Sequence, residues 1–419
     1  MGQTGPSGNA GVTGPTAPAA KVRRSTVILI NQPPAITTQP VSQTIRTGSP
    51  VTFSVVAIGS APLSYQWYKN GGVIAGATAA SYMIASVVPG DAASYTCTVS
   101  NLSSSTATSS AAVLTVTTAH LGSWVGVTTP AGGGWQAVAA GAGTVVAVGI
   151  ASPYIMASTD NGATWTAHNP GTTIPLLGIA YYNGVWVAVG IKSQNVYALY
   201  SSNLTSWTSV QLTTVGTSGT AAICAGPNQF VIGSTDNTNF VGFWTSTDGA
   251  SWTNHATTIP LNVSGIAYGN GLYVCCGTGW IGYSSDGASW STVWPGHLFP
   301  SVTYDGIAFG NGVFVAVAQD VSTAHVVIVT ANGTTFTLAN DPTNSGYWQG
   351  ITFGDGHFLA VGLNGPAKGS MSSTDGLSWG YISTIAGNYR GICFLNDTFV
   401  SVNSDGTTNG AEVLPVSWS

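Results

Sequence analysis

Between residues 34 and 118, apolar and polar residues alternate in short runs broken by turn formers: SPVTFSVVA, LSYQWYKNG, ASYMIA, DAASYTCTVSN and AAVLTV. A period of two predicts half-buried strands, because successive side chains leave a strand on opposite faces. From residue 119 onward the pattern changes to pairs of apolar runs joined by a small polar turn. Seven pairs align: WQAVAAGAGTVVAVG, LGIAYYNGVWVAVG, AAICAGPNQFVIGS, SGIAYGNGLYVCCG, DGIAFGNGVFVAVA, QGITFGDGHFLAVG and RGICFLNDTFVSVN. Their spacing is about 43 residues. Asn-Gly or Asp-Gly at 183–184, 270–271, 311–312 and 355–356 predicts tight hairpins, since type I′ turns need φ > 0 at both central positions.

A third strand follows each pair, then a short polar motif, then a fourth strand. Four antiparallel strands recurring at this period resemble the blades of a β-propeller. Trp165, Trp207, Trp252, Trp290, Phe336 and Trp379 hold equivalent places in six repeats, whereas the seventh ends the chain at EVLPVSWS without a fourth strand. Upstream, LGSWVGVTT at 121–129 matches LSWGYISTI at 377–385, with Trp124 in register. The expectation is a seven-bladed propeller over 119–419, closed by strand exchange so that open sheet edges disappear.

The motif before each fourth strand reads STDNGATW at 158–165, STDGASW at 246–252, SSDGASW at 284–290 and STDGLSW at 373–379, with degraded copies SSNLTSW at 201 and TANGTTF at 330. It resembles the Asp box of sialidases and other propeller proteins, carried here by Ser158, Asp160, Gly162 and Trp165, by Asp248 and Trp252, by Asp286 and Trp290, and by Asp375 and Trp379. Ser and Asp side chains bond the backbone of tight turns, Gly supplies φ > 0, and Trp packs between blades. Repetition once per blade makes the motif structural rather than catalytic. Resemblance to sialidases implies a three-arginine carboxylate clamp, yet 119–419 contain one arginine, Arg390, and one glutamate, Glu412. A glycosidase needs only two carboxylates at a set separation. Asp236, Asp305, Asp320, Asp341, Asp355, Asp397 and Asp405 are scattered over different loops.

Segment 34–118 resembles an immunoglobulin-like domain through Trp67 in YQWYKNG and the DxxxYxC pattern of Asp91, Tyr95 and Cys97. That resemblance implies a core tryptophan at 67 and a tyrosine-corner residue at 95. The place of the partner cysteine falls within FSVVA, nearest Val55, so Cys97 has no mate and the domain is expected to be held by packing alone. Upstream, glycine falls at 2, 5, 8, 11 and 14, with Pro6 and Pro15 after glycine. This is the G-X-Y period of collagen, where only Gly fits the axis of three chains. The segment 1–16 reads as a stem for a homotrimer or as a flexible polar tail. Lys21, Arg23, Arg24 and STVILI place a docking peptide or linker at 17–33.

Composition narrows the functional classes. Charged residues are only 5% of the chain against 14 Trp and 16 Tyr, which suits a folded β-rich protein rather than a disordered one. A net charge of −5 with eight basic residues argues against nucleic acid, which needs a basic footprint. No apolar run reaches membrane-spanning length, and the N-terminus lacks the basic-then-apolar order of a secretory signal. Cys97, Cys224, Cys275, Cys276 and Cys393 show no metal-ligand spacing and are expected to be buried free thiols. Histidines 120, 168, 255, 297, 325 and 357 are equally dispersed. STDNTN at 234–239 and NSDGTTNGAE at 403–412 offer oxygen atoms without the order of a calcium loop. No metal or cofactor is expected.

Binding is expected where loops enter the innermost strands. There the chain carries Trp135-Gln136, Tyr304-Asp305, Trp348-Gln349 and Tyr389-Arg390. Four aromatic–polar pairs around an axial opening would suit sugar rings, with Trp294, His297, Phe299 and Tyr347 in adjoining loops; packing of these aromatics between blades is the competing reading. The order of stem, spacer and head resembles the modular appendages of tailed bacteriophages. It implies a non-enzymatic virion surface protein assembled in the host cytoplasm: a capsid decoration or head fibre bound to other virion proteins through 1–33 and displaying the propeller to host-surface or environmental glycans. A tail-fibre receptor-binding protein, a bacterial cell-surface adhesin and a glycoside hydrolase are the alternatives.

Overall fold

The computed structural model describes residues 31–102, 105–214, 220–235, 241–257, 259, 262–293, 302–319, 327–339, 347–363, 369–382, 387–405 and 410–419. The G-X-Y segment and most of the docking peptide, together with Asp236, Trp294, His297, Phe299, Asp320, His325 and Asp341, lie outside the described residues. Described elements are all strands except for a single 3-10 turn at Pro89–Asp91. The chain divides into two compact units, one comprising residues up to Gln43, Val51–Ile84 and Ala92–Thr115, the other Thr44–Pro50, Ala85–Asp91 and Val116–Ser419.

In the first unit Ser64–Lys69 pairs antiparallel with Ala93–Ser100, which sets Trp67 opposite Cys97. A second pair, Val51–Ser54 with Ser81–Ile84, supplies Phe53, whose ring stacks on Tyr95 at 4.8 Å and lies 6.3 Å from Trp67. Phe53, Val55, Trp67, Tyr95 and Cys97 are all buried. The Trp67 indole N–H donates to Ala79 O at 3.0 Å, so the large ring is buried with its polar handle satisfied. Cys97 is a free thiol, and its backbone N–H donates to Ser109 Oγ at 2.9 Å. Packing and hydrogen bonding stand where a disulfide would.

Among its described residues the second unit contains six four-stranded antiparallel meanders and one further sheet. Their first strands are numbered here β1 (Trp135–Gly141), β2 (Leu176–Tyr182), β3 (Ala221–Ala225), β4 (Gly265–Gly269), β5 (Thr303–Gly310), β6 (Trp348–Gly354) and β7 (Tyr389–Leu395). In the further sheet, β7 leads to Thr398–Asn403 and the C-terminal Ala411–Trp418, which pairs with two strands from the start of the unit: Val125–Val127 opposite Val413–Ala411, and Ala119–Leu121 opposite Trp418–Val416. Second strands are nearly continuous apolar runs, such as Thr144–Gly149 with Val145, Val146, Ala147 and Val148 fully buried, as expected of strands covered on both faces.

The predicted turns are present. Asn183, Asn270, Asn311 and Asp355 have φ of 47°, 47°, 46° and 45°, each followed by a glycine at positive φ. Beside these turns a cross-strand aromatic pair recurs, Phe309 with Phe314, Phe353 with Phe358 and Phe394 with Phe399, at centroid distances of 4.7–4.8 Å. Each ring seats over a glycine of the preceding sheet: a Cβ on Gly310 would come 2.1 Å from the Phe353 ring, and one on Gly354 2.1 Å from Phe394. The first and last sheets are joined by a common core. Trp135, Val138, Val145, Ala147 and Met156 share one buried cluster with Cys393, Val400, Val402 and Ala411.

Candidate functional site

The repeated polar turn explains itself locally. Ser284 Oγ accepts from the Gly287 N–H at 2.8 Å and donates to Asp286 Oδ1 at 2.9 Å. Asp286 Oδ1 accepts from the N–H groups of Ala288 and Ser289, both at 2.8 Å. The Trp290 indole donates to Gly287 O at 2.9 Å, and its ring stacks on Phe243 at 4.0 Å. The turns at Asp248 and Asp375 repeat these bonds, with Trp252 and Trp379 donating to Gly249 O and Gly376 O. Asn203 and Asn332 preserve them in the two degraded copies. At Ser158, Asp160, Gly162 and Trp165 the turn is one residue longer, Asn161 has φ 59°, and the Trp165 indole N–H has no partner. Backbone N–H groups of Ser289 and Ala288 hold the Asp286 carboxyl down at about 2. These carboxylates are spent on their own turns.

A different set of residues faces a pocket. Six of the seven first strands contribute three consecutive residues to it and β6 two: Gln136-Ala137-Val138 from β1, Leu177-Gly178-Ile179 from β2, Ala221-Ala222-Ile223 from β3, Ser264-Gly265-Ile266 at the head of β4, Asp305-Gly306-Ile307 from β5, Gly350-Ile351 from β6 and Arg390-Gly391-Ile392 from β7. Gln349 of β6 completes the upper tier, which surrounds a cavity of about 260 Å³. The pocket therefore has an upper ring of variable residues, a middle tier of Gly or Ala, and a lower tier of Val or Ile.

A backbone irregularity builds the upper ring. In β1, β2, β5, β6 and β7 the ladder skips one residue, between Trp135 and Ala137, Leu176 and Gly178, Tyr304 and Gly306, Trp348 and Gly350, and Tyr389 and Gly391. The skipped residues are Gln136, Leu177, Asp305, Gln349 and Arg390. A β-bulge leaves its extra residue outside the ladder and re-aims its side chain. The middle-tier glycines let neighbouring first strands approach: a Cβ on Gly350 would lie 2.6 Å from Arg390 O, and one on Gly391 2.9 Å from Ala137 Cα.

This arrangement corrects half of the expected site. Trp135, Tyr304, Trp348 and Tyr389 are 0–2% exposed and do not ring the opening. The residue before each bulge points into the sheet packing, while its polar neighbour turns to the cavity. Burial pushes the Tyr304 and Tyr389 phenols far up, as for rings in the core. Gln136, Asp305, Gln349 and Arg390 are brought together as expected. Ser264, Leu177 and Ala221 were not singled out in the sequence, although each precedes the same small-then-branched dipeptide as its four equivalents. Tyr347 joins the loop beside them, its carbonyl accepting from the Leu363 N–H at 2.9 Å.

The charged and amide groups of the ring lie on one arc only. Passing from β5 through β6 and β7 to β1 it reads Asp305, Gln349, Arg390, Gln136; the remaining arc reads Leu177, Ala221, Ser264. Asp305 Oδ2, Gln349 Oε1 and Arg390 Nε are buried without hydrogen-bond partners, whereas Gln136 Nε2 is anchored on Gly134 O at 2.8 Å. Burial pushes the Asp305 carboxyl up to about 6, opposed by the positive charge of Arg390. Unpaired polar atoms inside a protein are costly, and their concentration in one cavity marks a place where a ligand can repay the loss.

A second meeting of carboxylates lies at the hairpin turns. Asp355 is pushed up to about 6 by burial and by its hydrogen bond with Asp397. Asp397 is held low, foremost by Arg46 of the Thr44–Pro50 segment, whose guanidinium reaches both its oxygens at 2.6 and 2.8 Å. Carboxyls in direct contact lack the gap of about 5–9.5 Å that places a sugar between acid and base or nucleophile. Among the described residues no group of three or more His, Cys, Asp or Glu is placed to hold a metal. No described helix is long and apolar enough to cross a membrane.

Comparison with known proteins supports the two folds. The immunoglobulin-domain family model matches residues 33–101. YCF48, solved bound to D1 peptide, aligns with 70% of this chain and 95% of its own at 14% identity and a TM-score of 0.52. The β-propeller domain of Cps50 (Swd1) from Myceliophteria thermophila aligns with 70% of this chain and all of its own at 9% identity and a TM-score of 0.50. A titin Z1Z2 chimera aligns with 20% of this chain and 96% of its own at 28% identity and a TM-score of 0.19. No curated protein matches. The chain thus carries an immunoglobulin-like domain and a unit similar in fold to β-propellers.

Proposed function

We propose that this chain is a non-enzymatic virion surface protein, of capsid-decoration or head-fibre type, whose second unit is a seven-bladed β-propeller that binds host-surface or environmental glycans at its axial opening. Residues 1–33 anchor it to other virion proteins, with the collagen-like segment joining three copies, and the immunoglobulin-like domain serves as spacer. Closure of the propeller by exchange of residues 121–129 is supported by the pairing of Val125–Val127 with the C-terminal strand and by the shared core of the first and last sheets. The observation that carries the binding reading is the arc of buried, unpartnered polar groups on Asp305, Gln349 and Arg390. Polyhydroxylated ligands supply donors and acceptors for such groups at once. Asp305 is the one carboxylate among the described residues lining the opening, which disfavours hydrolysis by a carboxylate pair.

Two experiments test this reading. Gold-labelled antibody on the particles is expected to decorate the capsid; label at the tail tip would make the chain a tail-fibre adsorption protein, and no label on any particle would sink the virion assignment. A glycan array probed with the full chain is expected to show selective capture. An array with no signal above a propeller control would overturn the binding role.

A further inference from the structure

Resting on the glycan reading, we infer that the axial pocket is a subsite for one neutral pyranose unit, whose adjacent hydroxyls bridge Asp305 and Gln349 to Arg390. Three observations converge on this chemistry. First, β5, β6 and β7 are successive strands, so the orphaned atoms follow one another as acceptor, acceptor and donor: Asp305 Oδ2, Gln349 Oε1, Arg390 Nε. A hydroxyl donates one hydrogen and accepts others. A vicinal diol therefore gives hydrogens to the carboxylate and amide while a hydroxyl oxygen of the same diol accepts from the guanidinium.

Second, charge is balanced but unpaired. Asp305 and Arg390 line the same opening and share no ion pair or hydrogen bond among the described contacts. A neutral ligand satisfies both groups. An anionic sugar would gain Arg390 and meet the like charge of Asp305, and a cationic sugar would do the reverse; like charges in a partly desolvated cavity disfavour binding.

Third, the ring is amphipathic. Opposite the arc of charged and amide groups stand Leu177 and Ala221, flanked by the hydroxyl residues Thr220 and Ser264. A pyranose has a hydroxyl edge and apolar C–H faces, matching the two arcs. Two adjoining pockets share these residues, one of about 260 Å³ at the upper ring and one of about 250 Å³ lined by all three tiers, each just below the range of drug-sized sites. The upper one accommodates a single ring.

The test uses the full chain with methyl α-pyranosides of glucose, mannose and galactose, the methyl glycosides of the matching uronic acids with the carboxylate free, and methyl glucosaminide, read by saturation-transfer difference NMR. At least one neutral glycoside is expected to bind at pH 7.5, with uronate and glucosaminide weaker by tenfold or more. Asp305→Asn and Gln349→Ala, each confirmed folded by circular dichroism, are expected to weaken it by about tenfold, the loss of one hydrogen bond to a charged or buried group. Equal or tighter uronate binding, or an Asp305→Asn protein that binds unchanged, would overturn the inference. Array capture that survives both substitutions would overturn this subsite while leaving the glycan role standing, whereas an array without capture would remove the role itself.

Discussion

Asp305 and Arg390 face one cavity from β5 and β7, with only β6 between them, and do not pair. Each is the extra residue of a β-bulge, so the protein builds its charges into the ring through backbone irregularity. Such a site stores an energetic cost in its unpaired polar groups. That relationship makes the pocket testable without knowing the ligand.

The Asp305 carboxyl is raised from 3.8 to about 6 by burial, less the effect of Arg390; the Cys276 thiol beside it stays neutral through this range. The folded state therefore holds a proton that the unfolded chain releases, and stability falls as pH rises from about 4 through about 6. At 1.36 kcal/mol per unit the full cost is on the order of 3 kcal/mol above pH 7. Asp305→Asn should stabilise the second unit by roughly 1–3 kcal/mol at pH 7.5 and by much less at pH 4. Denaturant midpoints at the two pH values measure this; an Asn variant less stable at pH 7.5 would show that the carboxylate has compensating partners.

Gly391→Ala would place a methyl 2.9 Å from Ala137 Cα and Val138 N. Backbone cannot give way as a side chain can, so the first and last sheets must separate. The expected loss is about 1–3 kcal/mol by overpacking. Gly126→Ala, with nothing within 4 Å, is the control and should be near neutral in the same denaturation series.

Ser284→Ala removes the buried acceptor of the Gly287 N–H and the donor to Asp286. A loss of about 1–2 kcal/mol is expected, comparable to deleting a helix cap. Asp286→Asn should cost far less, since Asn203 and Asn332 make the same backbone bonds in sister turns. Because hydrogen bonding depresses the Asp286 carboxyl to about 2, its contribution is present above pH 4 and disappears as pH falls through 2. Thermal scans of the two variants would separate them; equal losses would contradict the turn's logic.

All five cysteines are buried free thiols, and burial pushes those of Cys224, Cys275, Cys276 and Cys393 far up. Thiolate is the reactive form. The native protein should leave Ellman's reagent unreacted at pH 8 and release five equivalents in guanidinium. Rapid labelling in the native state would show that one of these sites opens.

Much of this protein is determined locally and is therefore legible in its sequence. Asn183-Gly184 and its sister dipeptides dictate hairpins because few residues adopt the positive φ a type I′ turn requires. Ser284, Asp286 and Trp290 satisfy their own turn within seven residues, so each copy is recognisable alone, and even worn copies keep the bonds. Alternation in VTFSV and SYTCTV gives the immunoglobulin-like strands with Trp67 and Tyr95 inside. The match of 121–129 to the fourth strands of other repeats anticipates its pairing with the C-terminal strand, because a strand lacking a partner must find one.

Which side chains reach the axis was settled only by the tertiary structure. Trp348 and Gln349 are adjacent at a bulge that the sequence does not announce, and it offers no energy by which to choose which of them turns to the opening. Packing of neighbouring sheets decides: it buries Trp135, Tyr304, Trp348 and Tyr389, admits only Gly or Ala beside the next strand, and turns the bulged Gln136, Asp305, Gln349 and Arg390 toward the cavity. The orphaned state of Asp305 and Arg390 arises the same way, from distant segments brought to one cavity.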